Sequence, residues 1–219
     1  AAAEGGGSNG SGDEAAAAYD AAPVPSAGCE GEATDEANPA EQKVQFGGAE
    51  RRWLLSAPAW GTGDDPLPLV VDFHGLAEGA DVHAGMTQLG PLGVEEGFVT
   101  VFPHGTGSPV AWDVTPDVDA NPDLRYVAAV LDRVEAERCV DTARVYATGL
   151  SNGAMMTSTV ACTMGDRFAA VAPIAGILLP EPCATERPVP VLSVHGTADP
   201  ILLFNGGVDT SALGAVLGG

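Results

Sequence analysis

The chain has 219 residues, 45% of them hydrophobic, enough for one buried core and hence for one globular domain. Thirty Asp and Glu against nine Lys and Arg give a formal charge of −21, which excludes a nucleic-acid-binding surface and suits a protein repelled by anionic membranes. No apolar run is long enough to span a membrane, and no basic-then-apolar export pattern opens the chain, so a processed or excerpted chain is expected.

Residues 1 to about 28 are Ala, Gly, Ser, Asn and acids, closing on Pro23-Val24-Pro25. They offer little to bury, and residues 1 to 42 hold nine acids and no base. A disordered, low-complexity acidic linker is therefore predicted over 1–40 and a folded domain over 41–219. Gln42 to Phe46 and Arg52 to Ser56 read as a strand pair across Gly47-Gly48. Asp64-Asp65-Pro66 marks a turn, and the nearly continuous apolar run Leu67 to Phe73 suits a strand covered on both faces. Asp81 to Leu89 is a short helix that Gly90-Pro91 should end. Phe98 to Phe102 is a third buried strand. Asn121-Pro122 opens a long helix through Arg138, with Pro at the first helical position.

Arg144 to Thr148 is a β-branched and aromatic strand, followed by Gly149-x-Ser151-x-Gly153 and a helical run from Ala154 to Cys162. Further strands are predicted at Phe168 to Ile174 and Val189 to Val194. Strands alternating with helices give an α/β fold with a mostly parallel sheet. In such sheets catalytic groups gather at the carboxyl ends of the strands. Here those ends carry His74-Gly75-Leu76, Pro103-His104-Gly105, Ser151 and His195-Gly196-Thr197-Ala198-Asp199-Pro200. Strand, tight turn and helix are the setting in which a serine becomes a nucleophile. A plain serine-capped turn would leave the same local pattern, so the serine motif alone is weak.

As an ordered set these pieces are specific. Val70-Val71-Asp72-Phe73-His74-Gly75-Leu76, Cys139-Val140-Asp141 leading into Val145 to Met155, Phe168 to Gly176, and Pro190-Val191-Leu192 with His195 to Pro200 resemble the polyhydroxybutyrate depolymerase and feruloyl esterase group of secreted α/β-hydrolases. The resemblance implies an α/β-hydrolase fold, Ser151 as nucleophile and Asp199 as the acid that orients a histidine. It also implies a cofactor-free, monomeric, secreted or surface-tethered enzyme acting on small or polymeric carboxylic esters. Oxyanion donors are expected from the backbone N–H groups of Asn152 and Leu76.

In this fold the order is serine, acid, histidine, yet no histidine follows Asp199. A chain cut short of its C-terminal part is the expected reason. Of the four histidines, His74 and His195 read as structural and His83 as solvated on a surface helix. His104 lies near the expected pocket and is the one candidate substitute base. Trp112 either lines the acyl pocket or packs on the core. Asp117-x-Asp119-x-Asn121-x-Asp123 resembles a calcium loop but lacks its sixth-position glycine and twelfth-position glutamate, so an acidic helix-capping loop is expected and no metal. Met155 and Met156 read as core residues. Four cysteines permit two disulfides or four reduced thiols. Cys162 and Cys183 flank one strand and can bridge, while Cys29 and Cys139 pair with each other or with partners elsewhere. The rival reading is a hydrolase-like binding or structural domain without turnover.

Overall fold

The computed structural model describes residues 22–31, 38–59, 65–178, 180–183 and 185–216. Most of the expected linker, at 1–21 and 32–37, and the first residue of the predicted turn, Asp64, lie outside the described residues. Six strands form one sheet: β1 (Ala40–Phe46), β2 (Ala49–Ser56), β3 (Leu67–Phe73), β4 (Val99–Pro103), β5 (Val140–Leu150) and β6 (Ala170–Ile174). Their order is β1-β2-β4-β3-β5-β6. β1 and β2 form an antiparallel hairpin because Gly47 and Gly48 take φ of 60° and 83°, which a two-residue hairpin turn needs. β2 also runs antiparallel to β4, and every remaining neighbour is parallel.

Helices cover both faces. α1 (Gly79–Thr87) and α2 (Leu89–Glu96) join β3 to β4, α3 (Pro122–Glu137) joins β4 to β5, and α4 (Asn152–Thr163) joins β5 to β6. A short α5 (Thr210–Val216) follows. In α3, the Asn121 side chain accepts the N–H groups of Asp123 and Leu124, and Pro122 fills the first turn where no donor is needed. Leu124, Val127, Leu131 and Val134 recur at helical spacing and are all at most 2% exposed. They pack with Met156 and Val160 of α4 against Leu69, Val71, Phe73, Val99 and Val101 of the sheet. A smaller cluster, Leu54, Phe102 and Ala80, fills the space under α1.

Three expectations need correcting. Gly90-Pro91 does not end a helix: Gln88, at φ 57°, breaks the chain between α1 and α2, and Pro91 sits in the first turn of α2, where a missing N–H costs nothing. Val189 to Val194 runs alongside β6 as an incomplete edge. Val171 and Val194 donate to Pro190 and Pro173, while Leu192 and Ala175 donate to Val171 and Val194. Only two bridges register there, and Leu192 remains 67% exposed.

The third difference concerns the predicted linker, part of which is docked. Cys29 is disulfide-bonded to Cys139, and Cys162 to Cys183. Beside the first bridge, Ser26 Oγ donates to Arg138 O at 2.8 Å and accepts Val140 N–H at 3.1 Å. Val24 N–H donates to the buried Asp141 carboxylate at 2.8 Å, which Arg144 also engages. The staple links positions 110 residues apart, so its loss frees much unfolded-chain entropy. Replacing Cys29 and Cys139 together by Ser is expected to lower unfolding stability by about 3–5 kcal/mol in a urea titration. An unchanged midpoint would show that the docked segment contributes nothing.

Candidate active site

β5 ends at Leu150, and Ser151 turns the chain directly into α4 with φ 56° and ψ −117°, a conformation that a non-glycine residue adopts only under constraint. Its N–H donates to Ile174 O at 3.0 Å, locking the turn to the end of β6. The flanking glycines are there for space. A Cβ on Gly153 would stand 2.0 Å from Phe73 O, and one on Gly149 would stand 2.6 Å from Gly153 O. Ser151 is thereby held half-buried at the carboxyl end of the sheet, at the start of a helix whose free N–H groups favour developing negative charge.

Asn152 uses its side chain elsewhere: Oδ1 accepts Trp112 N–H at 2.7 Å and Nδ2 donates to Trp112 O at 3.3 Å. Its backbone N–H opens α4 and has no partner among the described residues. The loop after β3 supplies the second expected donor. Ala77, at φ 64°, donates to Val110 O, and Gly75 donates to Glu78 Oε2, whereas Leu76 N–H has no partner among the described residues. Both N–H groups expected to meet the oxyanion are therefore without a partner among the described residues.

The histidines sort by their hydrogen bonds. His74 is 0% exposed; its Nδ1 lies 2.7 Å from Gly75 O and its Nε2 accepts Gly105 N–H at 2.9 Å, which fixes the neutral Nδ1–H tautomer. Burial holds its pKa down at about 4 despite the Gly75 carbonyl. His104, the candidate substitute base, accepts Ala80 N–H through Nδ1 at 3.1 Å and faces Arg52. Burial first and the Arg52 cation second lower its pKa, and no hydrogen bond joins it to Ser151 among the described residues. His83 corrects the sequence reading: it is 1% exposed, clasped by Asp72 and Glu78 rather than by water. Trp112 is 4% exposed and packs on Phe73 and His74, with Nε1 donating to His74 O. Of its two readings the packed one is seen, so it braces the loop from behind.

Asp199 lies just past the edge segment that follows β6. Its Oδ1 accepts the N–H groups of Ile201 and Leu202 at 2.9 and 3.0 Å, and these bonds lower its pKa. Its Oδ2 lies 3.5 Å from His195 Nε2, whose nearer partner is Leu202 O at 2.6 Å. Among the described residues no histidine hydrogen-bonds Ser151, so serine and carboxylate are presented without an imidazole between them. Arg51, not singled out from sequence, and Asp123, read there only as part of an acidic helix-capping loop, brace the surrounding loops. Asp123 accepts Arg51 at 2.9 Å and Asp113 N–H at 2.9 Å, while Arg51 also donates to His104 O and stacks over Tyr126. Asp123 stood out as an acid in the first turn of a helix, whereas Arg51, a charged residue near the start of a strand, gave no sign of its partner.

The strand order, the strained serine turn at the end of β5 and the acid past the next strand together define an α/β-hydrolase. Solved structures share this fold: a thermostable esterase (TM-score 0.61, 22% identity, 82% of this chain and 51% of that one) and an acetyl xylan esterase from Aspergillus awamori (TM-score 0.56, 20% identity, 67% and 56%). Within that class the chain belongs to the esterase PHB depolymerase family, whose profile matches residues 54–217. Relatives include feruloyl esterase B of Piromyces equi, 30% identical over 165 residues, covering 72% of this chain and 31% of that protein. A putative esterase, NocK, of Nocardia uniformis subsp. tsuyamanensis is 35% identical over 192 residues, covering 82% and 55%. The chain thus spans from just under a third to just over half of the length of these two relatives.

Gly153→Ala is expected to cost about 3 kcal/mol or more in thermal unfolding, because the nearest neighbours of the new methyl are rigid backbone carbonyls. Gly85→Ala in α1, where nothing lies within 4 Å, should stabilise by up to about 1 kcal/mol. Equal effects would refute the packing argument. His74 is protonated in the unfolded chain below its ordinary 6.5 but in the folded protein only near 4. Its contribution is therefore complete above 6.5 and lost as pH falls toward 4, by on the order of 3 kcal/mol. Urea midpoints across that range should fall less steeply in His74→Gln; parallel slopes would assign the acid sensitivity elsewhere.

Proposed function

We propose that the protein is a secreted serine esterase that cleaves carboxylic esters through an acyl-enzyme on Ser151. The observation that carries this reading is the Ser151 turn: a strained serine between two space-limited glycines, beside two unpartnered backbone donors. In the proposed reaction Ser151 Oγ attacks the ester carbonyl and gives its proton to an imidazole. Asn152 N–H and Leu76 N–H take the charge that develops on the carbonyl oxygen. The alcohol leaves with that proton, and water then hydrolyses the acyl-enzyme by the same route.

Asp199 is assigned the role of orienting the imidazole, since Oδ1 is anchored by two backbone N–H groups and Oδ2 is left for a side chain. Among the described residues no histidine is hydrogen-bonded to Ser151, so the imidazole of this reaction is not one already held against the serine. The relatives named as feruloyl esterase, together with the family description, support an aromatic or acetyl ester on plant polysaccharide, or a hydroxyalkanoate polyester, as substrate. Two disulfides support an oxidising, extracellular location. That no histidine is hydrogen-bonded to Ser151 among the described residues also favours a second reading for the 219 residues taken alone, a hydrolase-like binding domain without turnover.

A fluorophosphonate probe applied to the whole protein should label Ser151, and p-nitrophenyl acetate turnover should fall at least about a thousandfold in Ser151→Ala. Labelling or turnover that survives the substitution would reject the assignment. Serine-dependent turnover by the 219 residues alone would place the base among His74, His83, His104 and His195.

A further inference from the structure

Beneath the loop that carries Leu76 lies a buried polar cluster that the reaction above does not use. Asp72 sits in β3, among Leu69, Val71 and Phe73, at 2% exposure. Its Oδ1 lies 2.9 Å from His83 Nε2, and its Oδ2 has no partner among the described residues. On the other side of the ring, His83 Nδ1 lies 3.2 Å from Glu78 Oε2. The same Glu78 oxygen accepts Gly75 N–H at 2.9 Å. Gly75 is what permits that approach, since a Cβ there would meet the Glu78 carboxyl at 3.1 Å.

Both ring nitrogens of His83 thus face carboxylates, which only accept hydrogen bonds. A neutral imidazole donates from one nitrogen alone; an imidazolium donates from both. The geometry therefore calls for the charged ring. We propose that His83, held as an imidazolium between Asp72 and Glu78, is a positioning residue for the oxyanion loop: it fixes the Glu78 carboxylate that holds Gly75 N–H, and thereby aims Leu76 N–H at the Ser151 site. Deprotonating the ring removes one of its two donors, frees Glu78, and slackens the loop. The enzyme then carries an alkaline limb set by a residue that never touches substrate. This proposal rests on the serine-esterase reading above.

The electrostatics agree. Burial disfavours charge on His83, but the Asp72 and Glu78 carboxylates outweigh it and raise the pKa above the ordinary 6.5. A raised value means that the clasp is intact below that ordinary range and lost as pH rises through the folded-state value. The other charged or titratable groups around the cluster are few. His74 at the end of β3 is kept neutral, and His104 lies with Arg52 and Asp81 at the first turn of α1. The opposite pin on the loop, Ala77 N–H to Val110 O, involves no titratable group. Glu78, by contrast, responds directly to the charge on His83.

The test combines a spectroscopic and a kinetic measurement. In the 15N-labelled 219-residue chain, both His83 ring nitrogens should remain protonated beyond the pH at which an ordinary histidine titrates, and the Gly75 amide resonance should move in step with the His83 titration. In Glu78→Gln the Gly75 resonance should stop following pH. On the whole protein, Glu78→Gln should lower kcat for p-nitrophenyl acetate about 10- to 100-fold with KM unchanged, approaching the loss of one oxyanion donor. His83→Gln, which keeps one amide donor toward Asp72 and none toward Glu78, provides the same comparison should Glu78→Gln not fold. A Gly75 amide indifferent to His83, or coupled titration with an unaltered kcat, overturns the proposal. The Ser151→Ala control keeps the two readings apart, because turnover that survives it rejects the esterase assignment while the Gly75 titration reports on the clasp independently.

Discussion

The site depends on how closely the start of α4 passes the end of β3. Gly153 lies against the carbonyls of Phe73 and His74 with no room for a side chain, and Gly149 is wedged between Gly153 and Phe73. That contact forces the sharp exit from β5 and the unusual backbone of Ser151. It also brings the first N–H of α4 beside the loop that leaves β3, so one packing constraint sets Ser151 and the proposed oxyanion donors together. The strain at Ser151 is tolerated because the elements on either side are buried and already fixed by the sheet.

Around that contact the loops at the carboxyl ends of the strands are held by buried polar groups rather than by apolar packing. His74 ties the end of β3 to Gly105, and the Asn152 side chain grips both backbone polar groups of Trp112. Arg51 and Asp123 join β2, the His104 carbonyl, the Asp113 turn and α3. Such links are directional, so a loop held by them has one position, whereas apolar contacts allow sliding. Removing one partner from a pair as buried as Arg51 and Asp123 leaves the other without water or a counter-charge, which is why these residues come as sets.

Much of this was legible in the sequence because it is written in local chemistry. Glycine pairs mark the hairpin, Asn121-Pro122 marks the start of α3, and the apolar run at Leu67 marks a strand covered on both sides. The Ser151 turn shows in its two glycines. What the sequence hid was the partner of each buried charge. Asp72 in an apolar strand announces that some group must meet it, but which one depends on how α1 folds back over β3. His83 looked solvated because it fell on a short helix that reads as lying on the surface, and its own face could not be assigned from so short a helix. Gly90-Pro91 misled for a related reason: the pair ends one helix or begins another with equal ease, and the left-handed turn at Gln88 decides.

The bridge between Cys29 and Cys139 encloses β1 to β4 and α1 to α3 in a covalent ring, and leaves β5 and the Ser151 turn outside it. A single backbone cut anywhere inside that ring would not release a fragment, since the two ends stay joined through sulfur. The half of the sheet that supports the Leu76 loop is therefore protected against a first proteolytic event, as β6 is by the Cys162–Cys183 bridge, in a way that the Ser151 turn between the two rings is not. The ring turns an otherwise fatal nick into a tolerable one until a reductant arrives.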